Sequence, residues 1–384
     1  MIKAIQVSRA PLFGLGTIGL YWGTFAAMVP ALKQQAGATD AQFGAALIGS
    51  ALGGMAAMYA APRVAATLGR WTLPTLAGFV VFAMQLPLLA HAPWVIFPMM
   101  VTLGVAISGL DINANMRISI LEERHGLHLM NVNHAMFSLC FGLSALVVAG
   151  LRTSGWTVAQ VFPAMGLVVA ACGLLTIEGK SWRPVDGASD GDVAAPKGLP
   201  WLLVLMTAVM LFVAFVGENA IEAWSALFIE RTLGGEAGIG AFGPTTLGLV
   251  MAAFRLIGQM TTEKLGEERV VFWSGVLGVV GTVLIAAAQS VGMVLVGIGI
   301  TAIGMAVIVP TANSLLGKVV HREQRALAIS RAWTFGFAGY FIGPSLIGFI
   351  SELAGLRVAY VVVAVMISSI IPAVLVMKSR RAAK

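Results

Sequence analysis

Long apolar blocks run through the chain, separated by short polar or charged intervals. Blocks of about 20 mostly apolar residues have the length of an α-helix that crosses a bilayer. Twelve such segments are predicted, and six of them precede a distinct polar interval: roughly 11–32, 43–61, 72–90, 94–120, 130–151 and 156–177. Six follow it, at roughly 200–228, 239–261, 270–289, 291–316, 326–350 and 356–377. The interval between the two sets, 178–198, is rich in Pro, Gly, Asp and Ser and reads as a linker. The predicted fold is an all-α membrane protein of two six-helix lobes, 1–178 and 199–384, joined by the stretch 179–198.

Composition reinforces that pattern. Of 384 residues, 58% are hydrophobic and only 11% charged, against about 25% charged in a soluble protein. So few charges cannot cover a water-facing surface. Forty-five glycines suit closely packed membrane helices. The net charge of +7 reads as loop charge that sets orientation, so nucleic acid is not an expected partner and membrane lipid is. With the N-terminus inside, most Lys and Arg fall on the inner side, Arg63, Arg70, Arg117, Arg269 and Arg331 among them. Lys33, Arg152, Arg231 and Arg357 fall outside. Both termini are then cytoplasmic, which agrees with an even number of spans. Cys140 and Cys172 lie in apolar runs and form no metal spacing or disulfide framework. The first segment is too long for a signal-peptide core and reads as a retained helix. No phosphate loop, metal cluster or hydrolytic triad stands out, so neither an ATP-driven pump, a cofactor nor a membrane enzyme is expected.

The two halves carry weak parallel similarity. Ala66-Thr67-Leu68-Gly69-Arg70 matches the run from Glu263 to Arg269, and Asn133-His134-Ala135 before Gly142 matches Ser330-Arg331-Ala332 before Gly339. Paired halves of this kind are typical of transporters built from repeats.

A few polar groups interrupt the apolar segments. Asp111 stands in the fourth, about 25 Å from its outer end, with Asn115 one turn on. An acid at that depth is costly and marks a functional site by default, with reversible proton binding as the natural role. The alternative is a structural acid bonded to a neighbouring helix. Glu218 and Glu222 are one turn apart on the seventh segment and resist joint ionisation. Glu218 pairs by depth with Arg255 on the eighth, or Arg255 snorkels to the interface. Arg117 is expected at the cytoplasmic interface, bound to a loop carboxylate such as Glu122 or Glu123, with Asp111 as the alternative partner. The charged run 122–126 is expected to be a loop. His134 opens the fifth segment and is placed at the cytoplasmic surface, out of reach of Asp111, in a structural rather than a relay role. Tyr21, Trp22, Gln85, Phe137, Asn219, Trp224, Asn313 and Trp333 are cavity-lining candidates, each equally explicable by helix packing.

The chain resembles the major facilitator superfamily over nearly its whole length. The short basic loop after the second segment keeps Ala61-Pro62-Arg63 and Gly69-Arg70 but lacks the acid usual there. A second copy spans Gly258-Gln259 through Arg269. Within that superfamily Leu110-Asp111-Ile112-Asn113-Ala114-Asn115 is similar to a Leu-Glu-Thr-Ala-Ala-Asn segment of the fucose permease branch. His134-Ala135-Met136-Phe137-Ser138 resembles a His-x-x-Phe-Ser of its bacterial relatives. Gly217 through Ser225 resembles a Glu-Gly-x-x-x-Asp-Trp-Ser run, with Glu222 in place of the aspartate. Tyr21-Trp22-Gly23-Thr24 stands where the fucose permease uses an acid.

The resemblance implies a secondary transporter of a bacterial inner membrane, working as a monomer by alternating access. It would move a small-molecule substrate, a sugar or similar polar metabolite, with protons. Asp111, Glu218 and Glu222 would carry the coupling. The alternative is a proton antiporter exporting amphipathic compounds, favoured by the Met- and Phe-rich helices and the missing acid in the first. A ligand sensor without transport is a third reading.

Overall fold

A computed structural model describes residues 2–127, 129–179, 198–321 and 324–382. Most of the expected linker, 180–197, and Arg322 lie outside the described residues, as does the side chain of Gln259 in the second basic loop. Every extended element among the described residues is a helix. The chain forms two compact units, residues 1–186 with 223–256, and residues 187–222 with 257–384.

The first unit holds a short helix Ile2–Val7, α1 (Arg9–Ala36), α2 (Asp40–Leu68), α3 (Thr72–Ala83), α4 (Pro93–His125), α5 (Met130–Thr153) and α6 (Val158–Leu174). To these it adds the end of α7 (Trp201–Leu227), a π turn Phe228–Thr232, and most of α8 (Phe242–Leu265). The second unit holds the start of α7, the end of α8, α9 (Glu267–Ala287), α10 (Val291–Met305), α11 (Ile308–Val319), α12 (Arg325–Gly336), α13 (Ala338–Ser368) and α14 (Ile370–Ala382).

Nine stretches among the described residues are long and apolar enough to cross a membrane. Two of them, Asp40–Leu89 with 50 residues and Leu327–Arg380 with 54, are long enough to cross twice, since one crossing takes about 20 residues. With the shorter apolar helix α6, the crossings number twelve, as the sequence pattern predicts.

Local chemistry sets the ends. Thr39 accepts from the Gln42 amide while the Gln42 side chain accepts from the Thr39 N–H, a capping box that starts α2. Thr157 and Gln160 repeat it at α6. Gly37 (φ 61°) and Gly126 (φ 62°) end α1 and α4 in the left-handed conformation that lacks a steric cost only for glycine. Gly355 (φ 83°, ψ 162°) breaks helical geometry inside α13, and so divides the last two crossings.

Two expectations change. The charged run 122–126 is not a loop, because α4 continues to His125 and stops only at Gly126. No helix breaker precedes that glycine, and Glu122 is occupied from the helix: its Oε1 accepts from the N–H groups of Leu129 and Met130 at 2.6 and 2.9 Å. The tenth segment is not one helix but two, parted between Met305 and Ile308. Pro310 explains the break, since its ring nitrogen cannot donate to the carbonyl of Ala306.

In the first unit α1 lies innermost, and its most apolar stretch is almost wholly buried. α1 packs along α5, and α2 along α4. Glycine permits the second contact: a Cβ on Gly104 would fall 2.1 Å from the Ser50 carbonyl oxygen. Close backbone approach of this kind replaces the hydrophobic drive that lipid-embedded helices lack.

Candidate functional site

Five polar residues of the first unit form one connected chain. It starts at Asp111, half-buried in α4. Asn115, one turn later, donates from Nδ2 to the Asp111 carboxylate Oδ1 at 3.1 Å and to the Asp111 backbone carbonyl at 2.9 Å. Its Oδ1 lies 3.2 Å from Nε2 of His134 on α5. One turn on, Ser138 donates to the His134 carbonyl at 3.2 Å and accepts from Nη1 of Arg255, on α8, at 2.5 Å. An acid, an amide, an imidazole, a hydroxyl and a guanidinium are thereby linked across three helices.

This corrects the placement of His134. Counting residues from the end of the fifth segment set it at the surface and out of reach. His134 is half-buried and meets Asn115, which itself bonds Asp111, although His134 does not touch Asp111. The helical periodicity that put Asp111 and Asn115 on one face did hold. Ser138 carried no signal beyond its place in the His134–Ser138 run.

Arg117 is also differently partnered. It is 2% exposed, its Nε donates to Glu178 at 3.0 and 3.1 Å, and its Nη2 donates to the Gly69 carbonyl at 2.8 Å. Glu122, one of its expected partners, instead caps α5. The pair thus ties α4 to the chain after α6 and to the turn after α2. Burial pushes the Glu178 carboxyl above the ordinary value of 4.5, outweighing the attraction of Arg117. Sequence spacing could not find this contact, because 61 residues separate the partners.

A run of rings lies in the same unit. Tyr21 meets Trp22 edge-on at 5.2 Å, and Trp22 meets Phe25 at 5.6 Å. Phe25 stacks on Phe43 at 6.5 Å, and Phe43 meets Trp224 edge-on at 6.0 Å. Three expected lining residues, Tyr21, Trp22 and Trp224, are therefore brought together through Phe25 and Phe43, which the sequence had not singled out. Trp224 is fully buried and its Nε1–H has no acceptor among the described residues. Phe137 stacks on Phe141, one turn along α5, at 6.4 Å. Gln85 lies apart and donates weakly to the Val81 and Phe162 carbonyls, joining the end of α3 to α6.

Glu218, Glu222, Asn219 and Asn313 belong to the second unit. The Asn219 amide donates to the Phe215 carbonyl at 3.0 Å, and Asn313 Oδ1 is buried without a donor among the described residues. Phe215, Trp333, Phe337, Tyr340 and Phe341 form a half-buried aromatic cluster, with centroids 5.0 to 6.4 Å apart along it. Of the remaining basic residues, Arg63 and Arg70 lie over the Tyr59 and Trp71 rings. Arg269 and Arg331 are exposed.

A second ionic cluster was invisible in the sequence. Arg152 and Glu230 form a two-pronged pair, and Glu230 also accepts from the Gly238 N–H at 3.0 Å. The next residue, Arg231, bonds both oxygens of Asp40 at 2.7 and 2.5 Å, and Lys33 bonds Asp40 at 2.7 Å. The π turn at Phe228–Thr232 presents Glu230 and Arg231 to these different partners. Lys33, Arg152 and Arg231, expected only as loop charges, are all neutralised. The hint available was Asp40, an acid in the first turn of a capped helix.

Comparisons with known proteins agree with this architecture. A sequence profile described as Major Facilitator Superfamily matches residues 207–384. An uncharacterized MFS-type transporter of Yersinia pestis is 28% identical over 372 residues, which cover 95% of this chain and 94% of that one. The crystal structure of a bacterial homolog of the human lysosomal transporter Spinster, inward-facing and unoccupied, superposes with a TM-score of 0.73 at 15% identity, covering 99% and 98% of the two chains. That of a D-xylose-proton symporter gives 0.71 at 14%, covering 98% and 97%.

Proposed function

We propose that the chain is a membrane transporter of the major facilitator superfamily, and that it moves a sugar or similar small polar metabolite by proton-coupled alternating access. The observation that carries this reading is the bonded chain from Asp111 through Asn115 to His134. An acid in a membrane helix is retained against its cost when its charge is used. A proton on Asp111 removes that charge and lowers the barrier to rearranging the helices around it. Glu218 and Glu222 would share the coupling. The fold shared with a protein named a D-xylose-proton symporter supports the substrate class.

In this reading the lobes are 1–178 and 199–384, and they rock about a central site. The basic residues set both termini in the cytoplasm of a bacterial cell, by the positive-inside rule. Arg152–Glu230 and the Asp40 cluster then stand at the outer end, joining helices of the first half to the seventh, and they part when the site opens outward.

In proteoliposomes, Asp111→Asn is expected to abolish uphill uptake driven by an inward proton gradient while counterflow exchange persists. Undiminished gradient-driven uptake in that variant would refute the assignment. The half-buried aromatic cluster from Phe215 to Phe341 favours one other reading, an antiporter exporting amphipathic compounds. The sign of the gradient dependence separates the two.

A further inference from the structure

The hydrogen bonds of Asn115 determine more than the position of its own amide. Its Nδ2 faces two acceptors on Asp111, the backbone carbonyl at 2.9 Å and Oδ1 at 3.1 Å. A backbone carbonyl can only accept, so the NH2 group must be the end turned toward it. Turning the amide over would set two oxygens against each other at that distance. The Asn115 Oδ1 is consequently fixed toward His134, 3.2 Å from Nε2. An amide oxygen has no proton to give, so the imidazole must supply it.

We infer that Asn115 is a positioning residue that holds His134 with its proton on Nε2, leaving Nδ1 as the atom that takes up a proton or accepts a hydrogen bond from a ligand. A free imidazole populates both tautomers, and the bond made by one ring nitrogen decides the state of the other. No partner of Nδ1 occurs among the described residues. Proton uptake then adds H+ at Nδ1 and gives an imidazolium that keeps its Nε2–H bond to Asn115. Asp111 and His134 are thus read through opposite ends of one amide. The amide carries no proton between them.

The groups facing this ring are accounted for element by element. From α4 come Asp111, reached through Asn115, and Arg117, which is held by Glu178. From α8 comes Arg255, reached through Ser138. On α5 itself the helix start is capped by Glu122. From α1 the charged residues are Arg9 and Lys33 near its ends, bonded to the Ile177 carbonyl and to Asp40. The transport consequence of the inference rests on the proton-coupled reading above. The tautomer itself does not.

The test is nitrogen NMR of the full chain labelled with 15N-histidine, with the His134 signal assigned by its loss in His134→Gln. At pH 8 the expected spectrum shows a protonated Nε2 and an unprotonated Nδ1. On acidification Nδ1 alone moves. In Asn115→Leu the two shifts converge as the tautomers mix. Should that variant fail to fold, Asn115→Ala, which removes the same acceptor with less steric change, is expected to show the same convergence. A proton on Nδ1 at pH 8, a ring protonated on both nitrogens there, or an Asn115→Leu spectrum like wild type overturns the inference. Proton-driven uptake is measured on the same wild-type preparation. Its failure would remove the coupling reading and leave the tautomer standing.

Discussion

Replacing Glu230 by Gln tests the most consequential contact that the sequence hid. The side chains of Arg152 and Glu230 are 6% and 12% exposed. Their two-pronged pairing puts them near the buried limit, where removing one partner costs about 3–5 kcal/mol. An exposed pair would be worth about 0–1 kcal/mol. Gln keeps the acceptor that serves the Gly238 N–H and has nearly the same volume, so the loss is confined to charge. Arg152 keeps that oxygen and the Ala27 carbonyl at 3.4 Å as acceptors for Nη1, but its Nη2 loses its acceptor and the buried cation loses its countercharge. The expected loss is about 3 kcal/mol, near the lower bound because both groups retain some access to solvent. That is about a 100-fold fall in the folded-to-unfolded ratio. In Arg152→Met with Glu230→Gln the stranded cation is gone, and about 2 kcal/mol of the loss should return. The assay is reversible unfolding of purified full-length protein in mixed micelles, carried through a double-mutant cycle. A cost below about 1 kcal/mol for Glu230→Gln, or a double variant whose loss equals the sum of the two singles, would refute the reasoning.

Glu178 provides a pH signature. Its folded carboxyl is raised above 4.5, so the folded state holds that proton more tightly than the unfolded chain does. The stabilisation is full below 4.5 and is lost as pH rises through the raised value. Glu178→Gln should flatten that part of a stability curve measured from pH 4 to 7, and an unchanged slope would contradict it. Trp224 buries an unpartnered N–H, so Trp224→Phe removes an unsatisfied donor as well as volume. It is expected within about 1 kcal/mol of wild type, whereas Trp224→Ala should cost about 3–5 kcal/mol. Equal losses in the two variants, read by the same unfolding assay, would show that the indole nitrogen has a partner.

The residues that could be read from sequence differ in kind from those that could not. Asp111 was legible because a carboxylate in an apolar helix is conspicuous whatever surrounds it. Asn115 was legible because i and i+4 share a helix face, and the bond between them is local. His134 was expected at the surface because its partner Asn115 lies on another helix, and a contact between two helices is not written in either one. Arg117 was assigned to Glu122 or Glu123 in the charged run expected after its helix, yet its partner Glu178 arrives from beyond α6. Arg152 and Arg231 were counted only as charges that orient the chain, since nothing in their own segments announces Glu230 or Asp40.

Hydrophobic length depends on neighbours in the chain, so the sequence by itself determined the all-helical fold and the twelve crossings, with several helix ends lying a turn or two from where it placed them. Where Pro310 interrupts the tenth crossing, a more careful local reading would have sufficed. Only the tertiary structure decided which polar groups meet. In a lipid-embedded bundle the apolar surface of each helix is nearly uniform, and its pattern does not say which face meets which neighbour. That choice falls to small-residue contacts such as Gly104 against Ser50 and to the few buried polar groups that must find partners. The chain from Asp111 to Arg255 and the paired charges around Asp40 and Glu230 are the outcome of that search.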